Sequence, residues 1–240
     1  MNELFAERPA SVGTFFKSNS AMVAEALGHT PLDFLLIDRQ HASPDLETME
    51  SVIRAGELNS LPSVVRIDKA NQGLFVNILD LGAQGLMIPQ TNTADEITEI
   101  ADAIRYQGNR SYAMSTRAGR FGNRDREEYL EWVNNDLVLL PQIESPAGVK
   151  NVEEIASVDA VTSIMVGPAD LALSHDLPIG DETVDEMVDE IFERVAPLDC
   201  GLGMYAGTPE DLNRYRSETE FLIFGSDVGT LTSRYSDTLE

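Results

Sequence analysis

Eight short apolar runs alternate with helix-patterned segments along this 240-residue chain, and that alternation restricts the possible folds more than any other feature. The runs lie at residues 11–16, 34–37, 63–67, 85–88, 137–142, 161–166, 201–205 and 221–224. Between them, apolar spacing near 3.6 residues predicts helices at 21–27, 46–55, 73–81, 94–106, 147–155, 184–195 and 209–216. Strands buried on both faces read as continuous apolar runs, and a helix between successive strands makes each connection a parallel crossover. Eight such units predict one α/β domain over residues 1–240, a (β/α)8 barrel. An open doubly wound sheet fits less well, because no glycine-rich dinucleotide loop follows any of the strands.

Charge excludes several classes of partner. The chain carries 41 acids against 17 bases, a formal net charge of −24, so nucleic acid and anionic membrane are poor partners. Lysine occurs only at 17, 69 and 150. A strongly acidic, lysine-poor surface resembles that of proteins from salt-loving organisms, in which salt screens self-repulsion. The 184–195 helix shows where the acids go: Val184, Met187, Val188, Ile191 and Phe192 form an apolar stripe, and Asp185, Glu186, Asp189, Glu190 and Glu193 face water. No apolar run is long enough for a membrane span and the N-terminus lacks secretory features, so a cytoplasmic location is expected. The single cysteine, Cys200, reads as a buried inert thiol.

Two segments carry chemistry. Pro141-Gln142-Ile143-Glu144-Ser145-Pro146 and Gly167-Pro168-Ala169-Asp170-Leu171 each follow a strand-like run and precede a helical one. In a barrel they place Glu144 and Asp170 on the rim where strands end, and two hard oxygen ligands there suit a divalent cation. Either acid alone would read as a helix cap. The second strand ends in Asp38-Arg39-Gln40-His41 and the third in Arg66, which brings an imidazole and a guanidinium to the same rim. A metal, a guanidinium and an imidazole are sufficient to form and quench an enolate. Residues 107–126 hold Arg110, Arg117, Arg120, Arg124 and Arg126. On the catalytic rim such a loop would suit an anionic substrate; salt bridges to neighbouring acids or to another subunit are the alternative.

With these motifs, the chain resembles the HpcH/HpaI aldolase/citrate lyase family, a barrel of the phosphoenolpyruvate/pyruvate superfamily type, from about Val12 to Asp227. The markers are Leu36-Ile37-Asp38-Arg39-Gln40-His41, Val64-Val65-Arg66, Asp80-Leu81-Gly82-Ala83-Gln84-Gly85, Arg105-Tyr106, Thr116-Arg117-Ala118-Gly119-Arg120-Phe121-Gly122, Gln142-Ile143-Glu144-Ser145 and Gly167-Pro168-Ala169-Asp170-Leu171. The resemblance implies a class II aldolase that converts a 4-hydroxy-2-oxo acid to pyruvate and an aldehyde. It implies Mg²⁺ or Mn²⁺ on Glu144 and Asp170, Arg66 steadying the enolate oxygen, and His41 as base paired with Asp80. Gln142 would lie beside the metal and pyruvate, and the turn of Gly167, Pro168 and Ala169 would receive the pyruvate carboxylate on backbone N–H groups. A homo-oligomer, hexamer or trimer, is also implied, with the C-terminal helix packed on a neighbour. The rival readings are a carbon–carbon lyase acting on acyl-CoA esters and a non-catalytic keto-acid-binding barrel; the second would have no use for His41 with Asp80.

Overall fold

The computed structural model describes Leu4, residues 10–42 and residues 44–239. Eight parallel strands close into a barrel in sequence order: β1 (Ser11–Phe16), β2 (Phe34–Asp38), β3 (Ser63–Arg66), β4 (Gly85–Ile88), β5 (Val138–Ile143), β6 (Ser163–Val166), β7 (Gly201–Ala206) and β8 (Phe221–Ser226), with β8 pairing back to β1. The helices around it are α1 (Ala21–Leu27), α2 (Leu46–Leu58), α3 (Gln72–Asp80), α4 (Ala94–Ile104), α5 (Arg126–Glu131), α6 (Pro146–Lys150), α7 (Val152–Ala156), α8 (Pro168–Ser174), α9 (Glu182–Val195), α10 (Pro209–Tyr215) and α11 (Asp227–Leu239). Short polar residues start them, as where the side chains of Asp45, Thr93 and Thr208 accept N–H groups of the first turn. No described helix is long and apolar enough to cross a membrane.

Alternation along the strands divides the core in two. Leu35, Ile37, Val65, Leu139, Ile164 and their equivalents face outward onto the helices in one large apolar cluster. Phe15, Phe34, Leu36, Val64, Met87, Val138, Leu140, Met165, Phe221 and Ile223 fill the barrel interior. Two of the interior rings depend on glycine at their register partners. A Cβ on Gly13 would lie 2.5 Å from the Phe34 ring, and one on Gly203 would lie 2.0 Å from the ring of Phe221. With both spaces open, Phe34 and Phe221 pack edge to face, 6.1 Å between centroids at 73°.

The structure departs from the sequence expectations in three places. The predicted 147–155 helix is two short ones meeting at Asn151, whose side-chain amide donates to the Asn92 carbonyl. Residues 126–136, most of which carried no expected element, form α5 and a wide helical turn over Trp132–Asp136. The arginine-rich segment follows α4 and precedes β5, so it lies where strands begin, at the opposite end from the rim proposed for catalysis. There Arg117 pairs with Glu57, Arg110 pairs with Asp80 at 2.6 Å, and Arg124 stacks over Trp132 at 4.8 Å. A cavity of about 640 Å³ at that end is lined by Arg117, Arg120 and Arg124, but also by Glu57, Glu128, Glu131 and Asp136.

Candidate active site at the carboxyl ends of the strands

Continuing the inward positions one step past the core gives the rim. On β1 the inward sequence is Gly13, Phe15, Lys17; on β2 Phe34, Leu36, Asp38; on β3 Val64, Arg66; on β5 Val138, Leu140, Gln142 and then Glu144; on β6 Ser163, Met165, Gly167. Polar side chains thus replace the apolar layer at one level of the barrel.

Asp38 and Arg66 form its most buried pair. They are register partners, joined by Nε to Oδ1 at 3.1 Å and Nη2 to Oδ2 at 2.8 Å. The guanidinium lies 4.3 Å from the centroid of the Phe15 ring. Lys17 Nζ reaches Asp38 Oδ2 at 3.4 Å, and the backbone N–H groups of Gln40 and His41 donate to Oδ1 at 3.1 and 3.2 Å. Burial alone would raise the Asp38 carboxyl; the hydrogen bond and charge of Arg66, with His41 N–H and Lys17, outweigh it and hold the group below its ordinary value. Asp38 is therefore a fixed anion that aims Arg66.

Glu144 behaves in the opposite way. It is 4% exposed and accepts the Gln90 N–H on Oε2 at 2.8 Å. Burial, then the neighbouring Asp170 charge and hydrogen bond, push it up to about 7, against the lowering effects of the Gln90 N–H and the Arg66 charge. Gln90, just past β4, adopts a left-handed φ of 50° that no sequence signal announced. Asp170 stands exposed in the first turn of α8. Glu144, Asp170, Gln90, Asn92, Ser145, Leu173 and Ser174 line a cleft of about 450 Å³.

The donor set fits a hard divalent cation. Glu144 is a buried carboxylate beside a second acid, with no direct bond to a cationic side chain among the described residues. The Gln142 Oε1 atom is buried without a hydrogen-bond partner among the described residues. A Cβ on Gly167 would meet Glu144 Cγ at 2.8 Å, Glu144 Oε1 at 2.9 Å and Gln142 Nε2 at 3.0 Å, so glycine there leaves room for both side chains. Among the described residues no group of three or more His, Cys, Asp or Glu gathers for a metal. Two carboxylates with an amide nearby suit an ion that takes its other ligands from water and substrate oxygens.

Other expected site residues are placed as follows. His41 lies in the exposed turn after β2. The Gly167 N–H is used by the Ile143 carbonyl at 3.1 Å and Pro168 has none, so Ala169 and Asp170 bring the N–H groups that could receive a carboxylate. Asp80 ends α3 on the far side of the barrel and bonds Arg110, so within one chain it does not meet His41. Lys17, Phe15 and Gln90 are rim residues to which the sequence reading gave no role in the site.

The sequence model of the family described as HpcH/HpaI aldolase/citrate lyase matches residues 11–221. The chain is 31% identical over 235 residues to a 2-keto-3-deoxy-L-rhamnonate aldolase of Escherichia coli O6:K15:H31, covering 95% of this chain and 86% of that protein. A crystal structure of an HpcH/HpaI aldolase/citrate lyase family protein from Burkholderia cenocepacia J2315 superposes with TM-score 0.89 at 31% identity, covering 98% of this chain and 95% of that one. Citrate synthase SbnG superposes with TM-score 0.86 at 26% identity, covering 96% and 91%. The chain belongs to the HpcH/HpaI aldolase/citrate lyase family.

Proposed function

We propose that this protein is a class II aldolase that cleaves, or forms, a 4-hydroxy-2-oxo acid, with pyruvate and an aldehyde as the other reactants. The observation that carries this reading is the convergence of Glu144, Asp170 and the Asp38-held guanidinium of Arg66 on one mouth of the barrel. Glu144 and Asp170 would hold a divalent metal, Mg²⁺ or Mn²⁺, with Gln142 beside it. When bound, that ion supplies Lewis-acid polarisation of the 2-oxo group and neutralises developing negative charge.

The remaining work falls to the chain. Arg66 cannot swing away, because Asp38 holds two of its N–H groups and Phe15 covers its face; its other N–H groups meet the oxygen that becomes anionic. The N–H groups at the start of α8 and the amide of Gln142 orient the carboxylate end. In cleavage His41 removes the 4-hydroxyl proton, the C3–C4 electron pair passes to C3 as the aldehyde leaves, and C3 is then protonated to give pyruvate. A His41–Asp80 pair would need Asp80 from another copy of the chain, in keeping with a homo-oligomer. The helix α11 has no buried residue and exposes Val228, Leu231, Tyr235 and Leu239, which suits packing on a neighbour in a trimer or hexamer. A cytoplasmic location and a salt-adapted surface complete the reading.

The test is condensation of pyruvate with a panel of aldehydes, before and after exhaustive chelation and after return of Mg²⁺ or Mn²⁺. Activity lost on chelation and restored by either ion is the expected result. Full activity in chelator, or a pyruvyl-lysine trapped by borohydride, would sink the metal mechanism.

A further inference from the structure

We propose that Lys69 is a positioning residue for Glu144: paired with Glu96, it holds the Gln90–Asn92 turn in the shape that keeps the Glu144 carboxylate set for a divalent ion. This rests on the metal reading above and extends it to two side chains that touch neither the ion nor the substrate.

The turn after β4 is strained, and the strain is aimed at Glu144. Gln90 has a φ of 50°, in the left-handed region that residues other than glycine keep only where their surroundings hold them. That conformation directs the Gln90 N–H at Glu144 Oε2, 2.8 Å away. The next residue, Thr91, donates its N–H to the Gln142 carbonyl at 3.1 Å, and Asn92 Oδ1 accepts the Ser145 hydroxyl at 2.5 Å. Three consecutive residues of the turn thus bond the segment from which Glu144 projects.

What holds the turn comes from two other elements. Lys69, in the short helical turn before α3, donates to the Gln90 carbonyl at 3.3 Å and to Glu96 Oε1 at 2.6 Å. Glu96, in the first turn of α4, accepts the Asn92 N–H on its other oxygen at 2.9 Å. Burial alone would raise the Glu96 carboxyl; the hydrogen bond and charge of Lys69, with the Asn92 and Thr93 N–H groups, outweigh it and hold the group below its ordinary value. Glu96 is therefore an anion that binds Lys69 with one oxygen and the turn with the other. A glutamate serving only to start α4 would have no need of a lysine that also bonds Gln90.

The pair is too exposed to matter much to the fold. The two side chains are 34% and 31% exposed, and ion pairs of that kind contribute little to stability. Its effect falls on the metal site, because outer groups that orient a ligand govern how tightly the ion is held. Without Lys69 the Gln90 carbonyl and Glu96 both lose their cation, and Gln90 can relax to a negative φ that turns its N–H away from Glu144.

The test is the affinity of the full chain, freed of metal, for Mn²⁺ alone, read by calorimetry and by electron paramagnetic resonance of the unbound ion. Lys69→Met and Glu96→Gln should each weaken Mn²⁺ binding by about tenfold or more, and the double variant should lose little beyond either one, since the two act as a unit. Lys69→Arg, which keeps the charge and the donors, should restore most of the affinity. The two single substitutions change the net charge in opposite directions, so a general electrostatic effect would tighten Mn²⁺ binding in Lys69→Met and loosen it in Glu96→Gln. Mn²⁺ bound by Lys69→Met as tightly as by wild type, or more tightly, overturns the proposal, and so does full affinity in Glu96→Gln. A wild type that binds no Mn²⁺ removes the metal reading itself, and this one with it.

Discussion

Asp38 is fully buried and reaches its register partner Arg66 through two hydrogen bonds, while Oδ1 also accepts the Gln40 and His41 N–H groups and Oδ2 pairs with Lys17. The carboxylate is saturated by its own fold, which makes it a positioning residue for Arg66. Asp38→Asn keeps the shape but removes the charge and offers Arg66 one acceptor in place of two. Breaking a buried pair of this kind costs about 3–5 kcal/mol, so the melting temperature should drop markedly. Turnover should fall about a hundredfold through misplacement of the guanidinium. A double-mutant cycle of Asp38→Asn with Arg66→Lys checks the assignment: strictly additive losses in kcat would show that the two side chains act independently.

Glu144 predicts a pH dependence. In the metal-free protein its carboxyl is pushed up to about 7, above the ordinary 4.5 it regains on unfolding. The folded state then holds a proton that the unfolded state releases, so between about 4.5 and 7 this group's contribution to stability falls as pH rises. Bound metal needs the carboxylate, so the stabilisation by added Mn²⁺ should grow with pH through the same window. Melting curves of wild type and Glu144→Gln, with and without Mn²⁺ from about pH 5 to about pH 8, test both signs. A Mn²⁺ shift that is constant with pH, or that survives in Glu144→Gln, would show that the metal sits elsewhere.

The barrel was legible because its signal is repeated: eight apolar runs and the intervening stripes constrain one another, and the strand boundaries moved by only one or two residues. Glu144, Asp170 and Arg66 were legible because each stands at a strand end, where position alone implies the rim. The arginine segment misled, and Asp80 was paired with His41 without sight of its place in the barrel, for a related reason. Sequence shows that a residue is near a strand but not at which end of the barrel a long connection lies, and both belong to the end where strands start. Gln90 gave no signal at all, since its contribution is a backbone N–H presented by a left-handed φ. Lys17 was visible as one of three lysines, but that it shares Asp38 with Arg66 is a relation only the fold creates.

The roles of His41 and Arg66 separate in a second reaction. Decarboxylation of oxaloacetate also yields a pyruvate enolate but has no hydroxyl to deprotonate. His41→Ala should slow aldol cleavage about a hundredfold or more while slowing decarboxylation far less. Arg66→Ala should slow both, because both pass through the same anion. If His41→Ala spares aldol cleavage, or Arg66→Ala spares decarboxylation, the roles are misassigned. Equal loss of both reactions in His41→Ala, with pyruvate still bound, would make the imidazole an organiser of the site in place of a base.

The acidic exterior predicts that stability depends on ionic strength. On α9, Asp185, Glu186, Asp189, Glu190 and Glu193 are all exposed, and Arg214 and Arg194 are the bases that reach them, at 2.9 and 3.7 Å to Asp185 and Asp189 and at 3.4 Å to Glu190. With 41 acids against 17 bases, most acids have no base of their own to pair with. Their mutual repulsion acts over the Debye length, about 10 Å at 0.1 M salt and about 3 Å at 1 M, so added KCl weakens a destabilising field that these few ion pairs offset only in part. The melting temperature should therefore climb between those concentrations. Glu186→Gln combined with Glu193→Gln should raise it at low salt and flatten the slope, because two of the repelling charges are gone. A melt unaffected by KCl in both proteins would mean that the acidic face is solvated without cost to the fold.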